Sequence, residues 1–253
     1  MAHAEGTPNW VDLQTPDIDR AREFYGSLFG WTADDLGPEA GGYVIFRKDG
    51  KQLGGGGPLQ AEGAPPAWMT FFSVRDADAT AARVGQAGGK VLMPPMDVMD
   101  QGRMAVFADP AGAVWAVWQE GANQGWEIHN EVGAVGWNEL MTPDMDTARA
   151  FYHATLGAGT TDMPGGMGYA LLTIDNQPVA GMMTFTDDMP PMPPVWSIYF
   201  DVDDTDGTAA LAEQLGGSIS VPPTDSPAGR FAFLADPSGA QFGIITPDPA
   251  FQM

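Results

Sequence analysis

The 253-residue chain contains no cysteine, which removes disulfides, thiolate metal ligands and cysteine nucleophiles together; a count of zero suits any redox compartment. Basic residues are scarce as well. Only 11 Lys and Arg stand against 33 Asp and Glu, a formal charge of -22 at pH 7. Such a balance disfavours nucleic acid and anionic membrane as partners, and its plainest meaning is solubility. No apolar run reaches the ~18 residues of a membrane span, and the N-terminus shows no basic-then-apolar leader. The expected location is therefore the cytoplasm. Histidines number three: His3 in a polar tail, His129 in a bridge and His153 on a helix, none with ligand-like spacing.

Other chemistries fail at single positions. Gly85 to Lys90 looks like a phosphate loop, yet Val91 stands where a hydroxyl must bind magnesium, and the segment ends a helix instead of opening one. Asp201 to Gly207 resembles a calcium loop, but Thr205 and Ala212 take positions that need side-chain oxygen ligands. A Gly-x-Ser-x-Gly elbow is missing.

What is present is a core and a repeat. Hydrophobic residues make up 44% and aromatics 10%, enough to exclude disorder. The stretch Trp10–Gly30, WVDLQTPDIDRAREFYGSLFG, returns at Trp137–Gly157 as WNELMTPDMDTARAFYHATLG. Further on, Trp68 meets Trp196, Gly88-Gly89 meets Gly216-Gly217, Pro94-Pro95 meets Pro222-Pro223, and Asp109-Pro110-x-Gly112 meets Asp236-Pro237-x-Gly239. A period this long indicates a duplicated module, since solenoid units run to about 20 to 50 residues. Residues 8–120 form one module, 121–132 a bridge and 133–247 the other.

Within each module the pattern reads strand, helix, two strands, then the same again. Alternation marks the strand Asn9 to Thr15, and Asp17 is an N-cap candidate. Ile18, Ala21, Tyr25 and Leu28 recur on one helix face, and Gly30 stops the helix. Proline-rich connectors (Pro65-Pro66; Pro190-Pro191 to Pro193-Pro194) lead to a third strand, a Pro-Pro-x-Asp loop follows the double glycine, and an Asp-Pro-x-Gly turn joins the last two strands.

The strand ending in Thr-Pro-Asp, the helix ending Phe-Tyr-x-x-x-x-Gly, the Gly-Gly before a short strand and Asp-Pro-x-Gly, each present twice, resemble the vicinal-oxygen-chelate superfamily of glyoxalase I, bleomycin-resistance proteins and extradiol dioxygenases. The resemblance covers nearly the whole chain, and its arrangement is similar to two-domain glyoxalase-like proteins of actinobacteria. It implies an α+β fold of tandem βαβββ modules with two cupped mixed sheets and a site inside each cup. Reaction does not follow from fold.

Metal enzymes of that superfamily take a ligand from the first strand and a glutamate from the last. By the family's spacing those positions are Trp10 and Trp137, and Ala116 and Gly243, none of which can bind metal. No metal and no cofactor are therefore expected; the carboxylates Asp12, Glu139, Asp97 and Asp225 are the residual candidates.

Asp12 and Glu139 lie on the strand face that carries Trp10, Gln14 and Trp137, which the resemblance makes the pocket face. Each is either a general acid or base with a raised pKa, or a carboxylate tied to backbone or arginine. Arg103 and Arg230 either pair with Asp97 and Asp225 or grip a ligand carboxylate. Arg22 and Arg149 are expected to pair along the helix with Asp19 and Asp146. Trp68, Trp196 and Trp118, with Trp10 and Trp137, are core residues or ligand walls.

Two functions remain. One is a metal-independent lyase or isomerase, or an oxygenase-like catalyst, working on a small metabolite with Asp12 or Glu139 as acid/base. The other is a non-catalytic binder that sequesters a small, antibiotic-like molecule. The partner in either case is a small molecule, and the chain is expected to be a monomer or homodimer.

Overall fold

A computed structural model describes residues 3–60, 63–163, 168–185 and 192–251. Pro190 and Pro191 of the second proline-rich connector lie outside them. The first module comprises β1 (Pro8–Thr15), α1 (Ile18–Phe29), β2 (Thr32–Asp35), β3 (Val44–Lys48), β4 (Lys51–Pro58), β5 (Ala67–Ser73), α2 (Ala77–Gln86), β6 (Lys90–Val98), β7 (Gly102–Ala108) and β8 (Val114–Glu120). The second repeats it with β9 (Val135–Thr142), α3 (Met145–Leu156), β10 (Gly159–Asp162), β11 (Tyr169–Ile174), β12 (Gln177–Thr184), β13 (Val195–Asp201), α4 (Thr205–Gln214), β14 (Ser218–Ser226), β15 (Gly229–Ala235) and β16 (Gln241–Pro247).

Each module thus runs βαβββ twice, one strand more per unit than periodicity gave. The extra strands are β2 and β6, and their counterparts β10 and β14. They escaped because they are sheet edges: the strand orders are β2-β3-β4-β1-β5-β8-β7-β6 and β10-β11-β12-β9-β13-β16-β15-β14. An edge strand needs no apolar alternation and tolerates proline. Hence Thr32–Asp35 is polar, and Pro94-Pro95, expected in a loop, sits within β6, where pairing to β7 shifts register twice. Both sheets are mixed, with β1 parallel to β4 and β5 parallel to β8, and with β9 parallel to β12 and β13 parallel to β16.

Helix entry follows the expected chemistry. Asp17 accepts from the Arg20 amide at 3.0 Å and Asp144 from the Thr147 amide at 3.0 Å; Gly30 and Gly157 close the helices in the left-handed conformation. The buried face of α1 is Ala21, Phe24, Tyr25 and Phe29, rotated from the expected Ile18–Leu28 stripe.

Packing divides the chain differently from the repeat. One compact unit combines Met1–Trp10, Thr70–Gly125 and Asn138–Ser197; the other combines Val11–Met69, Trp126–Trp137 and Ile198–Met253. Each unit therefore draws on both modules. The first is filled by Phe72, Phe107, Trp115, Phe151, Tyr152 and Trp196. The second is filled by Tyr25, Phe29, Trp31, Phe46, Trp68, Phe200 and Phe242, with ring centroids 5–6 Å apart. Aromatic burial on this scale dominates the stability of both.

The repeated motifs lock each unit. In the second, Trp68 Nε1 donates to the Tyr25 hydroxyl at 2.9 Å, and that hydroxyl donates to Asp236 Oδ2 at 3.2 Å. Asp236 Oδ1 meanwhile accepts the amides of Ser238 and Ala240 in the Asp-Pro-x-Gly turn. In the first, Trp196 donates to Tyr152 at 2.9 Å and Tyr152 to Asp109 at 3.1 Å, with Asp109 holding its own turn. Each lock takes its tyrosine from one module and its aspartate from the other.

The expected tail is tied down: the Gly6 amide donates to the Ser73 carbonyl and the Ser73 amide to the Thr7 carbonyl, both at 2.8 Å. The bridge is anchored by buried Trp126 and Ile128 and by the amide of Glu127, which donates to the Gln52 carbonyl at 2.8 Å. Among the described residues no helix is long and apolar enough to cross a membrane.

Candidate functional site

The site is built on the face of β1 that carries Asp12 and Gln14. Asp12 is 7% exposed, and Gln14 Nε2 donates to its Oδ2 at 3.4 Å. Asp12 Oδ1 and Gln14 Oε1 are buried and accept no hydrogen bond. Burial pushes the Asp12 carboxyl up to about 7, against the smaller opposing effects of hydrogen bonds from Tyr43 and Gln14. Its proton is therefore exchangeable near neutral pH, as proton transfer requires.

Tyr43 was not anticipated. It lies immediately before β3, and β4 beneath it reads Gly54-Gly55-Gly56-Gly57, all buried. Gly55 stands beside Asp12 in the parallel β1–β4 register. A Cβ at Gly55 would overlap the Tyr43 hydroxyl, and one at Gly57 would meet Tyr43 Cδ2 at 3.1 Å. The sequence signals were the run of four glycines and the tyrosine after a glycine in both modules, Gly42-Tyr43 and Gly168-Tyr169.

The second module carries corresponding residue types in the other unit. Glu139 is 6% exposed on β9 and faces Gly181 in the β9–β12 register, and Tyr169 is paired with Met183. Met183 stands where the first module has Gly57.

Other candidates resolve into structure. Arg103 is held by Asp78 at 2.8 Å, Asp97 at 2.7 Å and the Pro95 carbonyl at 3.1 Å. Arg230 is held by Asp206 at 2.5 Å and Asp225 at 2.8 Å. Neither guanidinium is free to grip a ligand carboxylate without giving up these pairs. Asp78 and Asp206 were not foreseen, because each comes from the start of a helix far away in sequence. Arg22 pairs with Asp19 as expected at 3.2 Å, but Arg149 pairs with Asp162 and not with Asp146.

Trp68 and Trp196, weighed as ligand walls, belong to the two tyrosine locks and to the aromatic cores. Trp118 donates to the Asn123 carbonyl at 2.9 Å and its ring lies on Gly102, whose absent side chain leaves it room. Trp10 is 5% exposed, and Trp137 is half-buried.

The donors present do not fit a divalent ion at the superfamily's usual places. Ala116 offers a buried methyl, and the Tyr199 ring lies over Gly243, so that a Cβ there would meet its Cδ1 at 2.5 Å. Among the described residues no three His, Cys, Asp or Glu side chains gather as a metal-binding group. His129 lies against Trp126 in a tilted ring pair with centroids 5.5 Å apart, and His153 Nδ1 lies 3.0 Å from the Ala158 carbonyl.

A half-buried acid, Asp201, was also missed as a titrating group. Asp201 ends β13 with its carboxyl against Gly136, its amide bonded to the Ala134 carbonyl and its own carbonyl accepting from the Gly133 amide. Burial pushes its carboxyl up to about 7.

Paired βαβββ modules and their twice-repeated motifs define a class. The chain belongs to the Glyoxalase/Bleomycin resistance protein/Dioxygenase superfamily, whose model matches residues 7–117 and 132–244. It is 43% identical over 258 residues to the anthracycline biosynthesis protein DauV of Streptomyces sp. (strain C5), covering 96% of this chain and 94% of that protein. It is 42% identical over 258 residues to the putative glyoxylase CFP32 of Mycobacterium tuberculosis, covering 98% and 97%. Among solved structures, the 2,3-dioxygenase LapB from Pseudomonas sp. KL28 matches with a TM-score of 0.67 at 14% identity, over 100% of this chain and 97% of that one. The Mn(II)-bound glyoxalase from Novosphingobium aromaticivorans matches at 0.63 and 18% identity, over 97% and 88%. At such identities these two likenesses speak to the fold alone.

Proposed function

We propose that this superfamily member is a metal-independent lyase or isomerase that moves a proton on a small metabolite, with Asp12 as acid/base in the first module. The observation that carries this reading is the buried Asp12 carboxyl, raised to about 7, with Oδ1 accepting no hydrogen bond. Ionised, Asp12 takes a proton from an acidic C–H or O–H of the substrate; protonated, it returns that proton to a neighbouring atom, leaving the enzyme unchanged. Gln14 Oε1 accepts from a second donor on the substrate and fixes its orientation. Glu139 is assigned the same role in the second module.

The names of the relatives set the first compounds to test: anthracycline-type aromatic ketones, after the anthracycline biosynthesis protein, and 2-oxoaldehydes, after the putative glyoxylase. Asp12→Asn is expected to reduce turnover of a compound found in that screen at least ~100-fold, the usual scale of acid–base catalysis. Unchanged turnover in Asp12→Asn, in Glu139→Gln and in the double variant would refute the assignment. The sequestering role is the second reading, because two buried acceptors can hold a ligand without chemistry. Calorimetric binding without turnover would favour it.

A further inference from the structure

The proposed role of Asp12 leaves open what holds and tunes that carboxyl. We propose that Tyr43 is the positioning residue of Asp12, and that Gly55 and Gly57 are glycines because the Tyr43 ring lies across β4 in the space their side chains would fill. This inference rests on the acid/base reading for its functional meaning, although its geometry stands alone.

Three observations support it. The Tyr43 hydroxyl hydrogen-bonds Asp12, although Tyr43 comes from beyond the far side of β4, the strand adjacent to β1. The β3–β4 register pairs Val44 with Gly56, so Tyr43 starts level with Gly57 and reaches back two residues to Gly55, which stands beside Asp12. The space along that path is taken by the ring, with Cδ2 over Gly57 and the hydroxyl over Gly55. Neither glycine has a positive φ, so backbone freedom is not why they are there; room is. Gly54 and Gly56 serve the opposite face, where Val11, Phe46 and Ile18 press on them.

The chemical consequence is a fixed donor to the ionised form of Asp12. Hydrogen bonding to a carboxylate favours its charged state, so Tyr43 counters burial and keeps the proton exchangeable near neutrality. Gln14, from β1 itself, acts in the same direction. The second module places an acid, a glycine beside it and a tyrosine at corresponding positions, Glu139, Gly181 and Tyr169.

The test is the titration of Asp12 itself, read by carboxyl 13C NMR on protein labelled at aspartate, with Asp12→Asn identifying the resonance. Tyr43→Phe keeps the ring and removes the donor, and is expected to raise the Asp12 midpoint by about one pH unit. Gly55→Ala should raise it similarly by displacing the hydroxyl, and the double variant should go no further, since both delete one interaction. An unmoved midpoint in Tyr43→Phe, or additive shifts in the double variant, overturns the proposal. If far-UV circular dichroism shows Gly55→Ala unfolded, Gly57→Ala replaces it; its methyl crowds Cδ2 alone, and a smaller rise is expected, with no rise counting against the seat. No substrate enters the measurement, so it fails or succeeds independently of the turnover test. Once a substrate is found, the lower limb of its kcat/KM pH profile should move with the same midpoint.

Discussion

Replacing Tyr25 by Phe removes one oxygen and deletes two buried hydrogen bonds. The Trp68 indole N–H loses its acceptor at 2.9 Å inside an aromatic core, a loss of about 1–3 kcal/mol for a buried donor left unmet. Asp236 keeps the Ser238 and Ala240 amides on Oδ1 but loses the phenol on Oδ2, about 1 kcal/mol more. The ring itself remains, 5.3 Å from Trp31 and 5.4 Å from Trp68, so no large cavity opens. The expected loss is thus about 2–4 kcal/mol. Tyr152→Phe removes the equivalent pair, Trp196 and Asp109, and is expected to cost about the same. The two locks share no partner, so the double variant should lose roughly the sum. Urea denaturation followed by tryptophan fluorescence and far-UV circular dichroism measures these losses. Costs below about 0.5 kcal/mol in both variants would show that neither lock stabilises the unit it lies in.

Asp201 gives a pH-dependent expectation. Burial pushes its folded carboxyl up to about 7, well above the ordinary aspartate value of about 4, so its favourable contribution is complete below pH 4 and declines as pH rises toward 7. Asp201→Asn should therefore stabilise the protein relative to wild type at pH 8 and make little difference at pH 4, measured as the urea midpoint; an equal effect at both would contradict the assignment. Asp12→Asn should show the same sign over the same window, because Asp12 is raised to about 7 by the same cause. Arg230→Ala should lower the thermal midpoint at low salt and much less in 1 M NaCl, since its partners Asp206 and Asp225 are exposed and screened. A salt-independent loss would mean that Arg230 acts through packing.

Much of the fold was legible. The Thr-Pro-Asp and Asp-Pro-x-Gly motifs announce themselves because helix caps and tight turns demand particular side chains, whatever lies around them. Edge strands did not, since Thr32–Asp35 and Lys90–Val98 are largely exposed and carry no apolar alternation to mark them. Of the site, Asp12 and Gln14 could be placed on one face by alternation. Tyr43 could not, because its reach across β4 depends on a register that no local pattern encodes. The arginines show the same limit: Asp97 and Asp225 are sequence neighbours, whereas Asp78 and Asp206 arrive only when a helix start folds against a strand.

The sequence by itself determined that one module is used twice and that its helices and turns begin and end where they do, and it sets Trp10, Trp137, Ala116 and Gly243 where the family resemblance implies metal ligands. Those are properties of local conformation and side-chain chemistry. Tertiary structure decided that the compact units recombine the modules, that Tyr25 and Tyr152 bind the turn aspartates of the opposite module, and that a strand of glycines seats Tyr43 on Asp12. These depend on which segments share a buried space, and burial also turned an ordinary carboxylate into one poised near neutral pH.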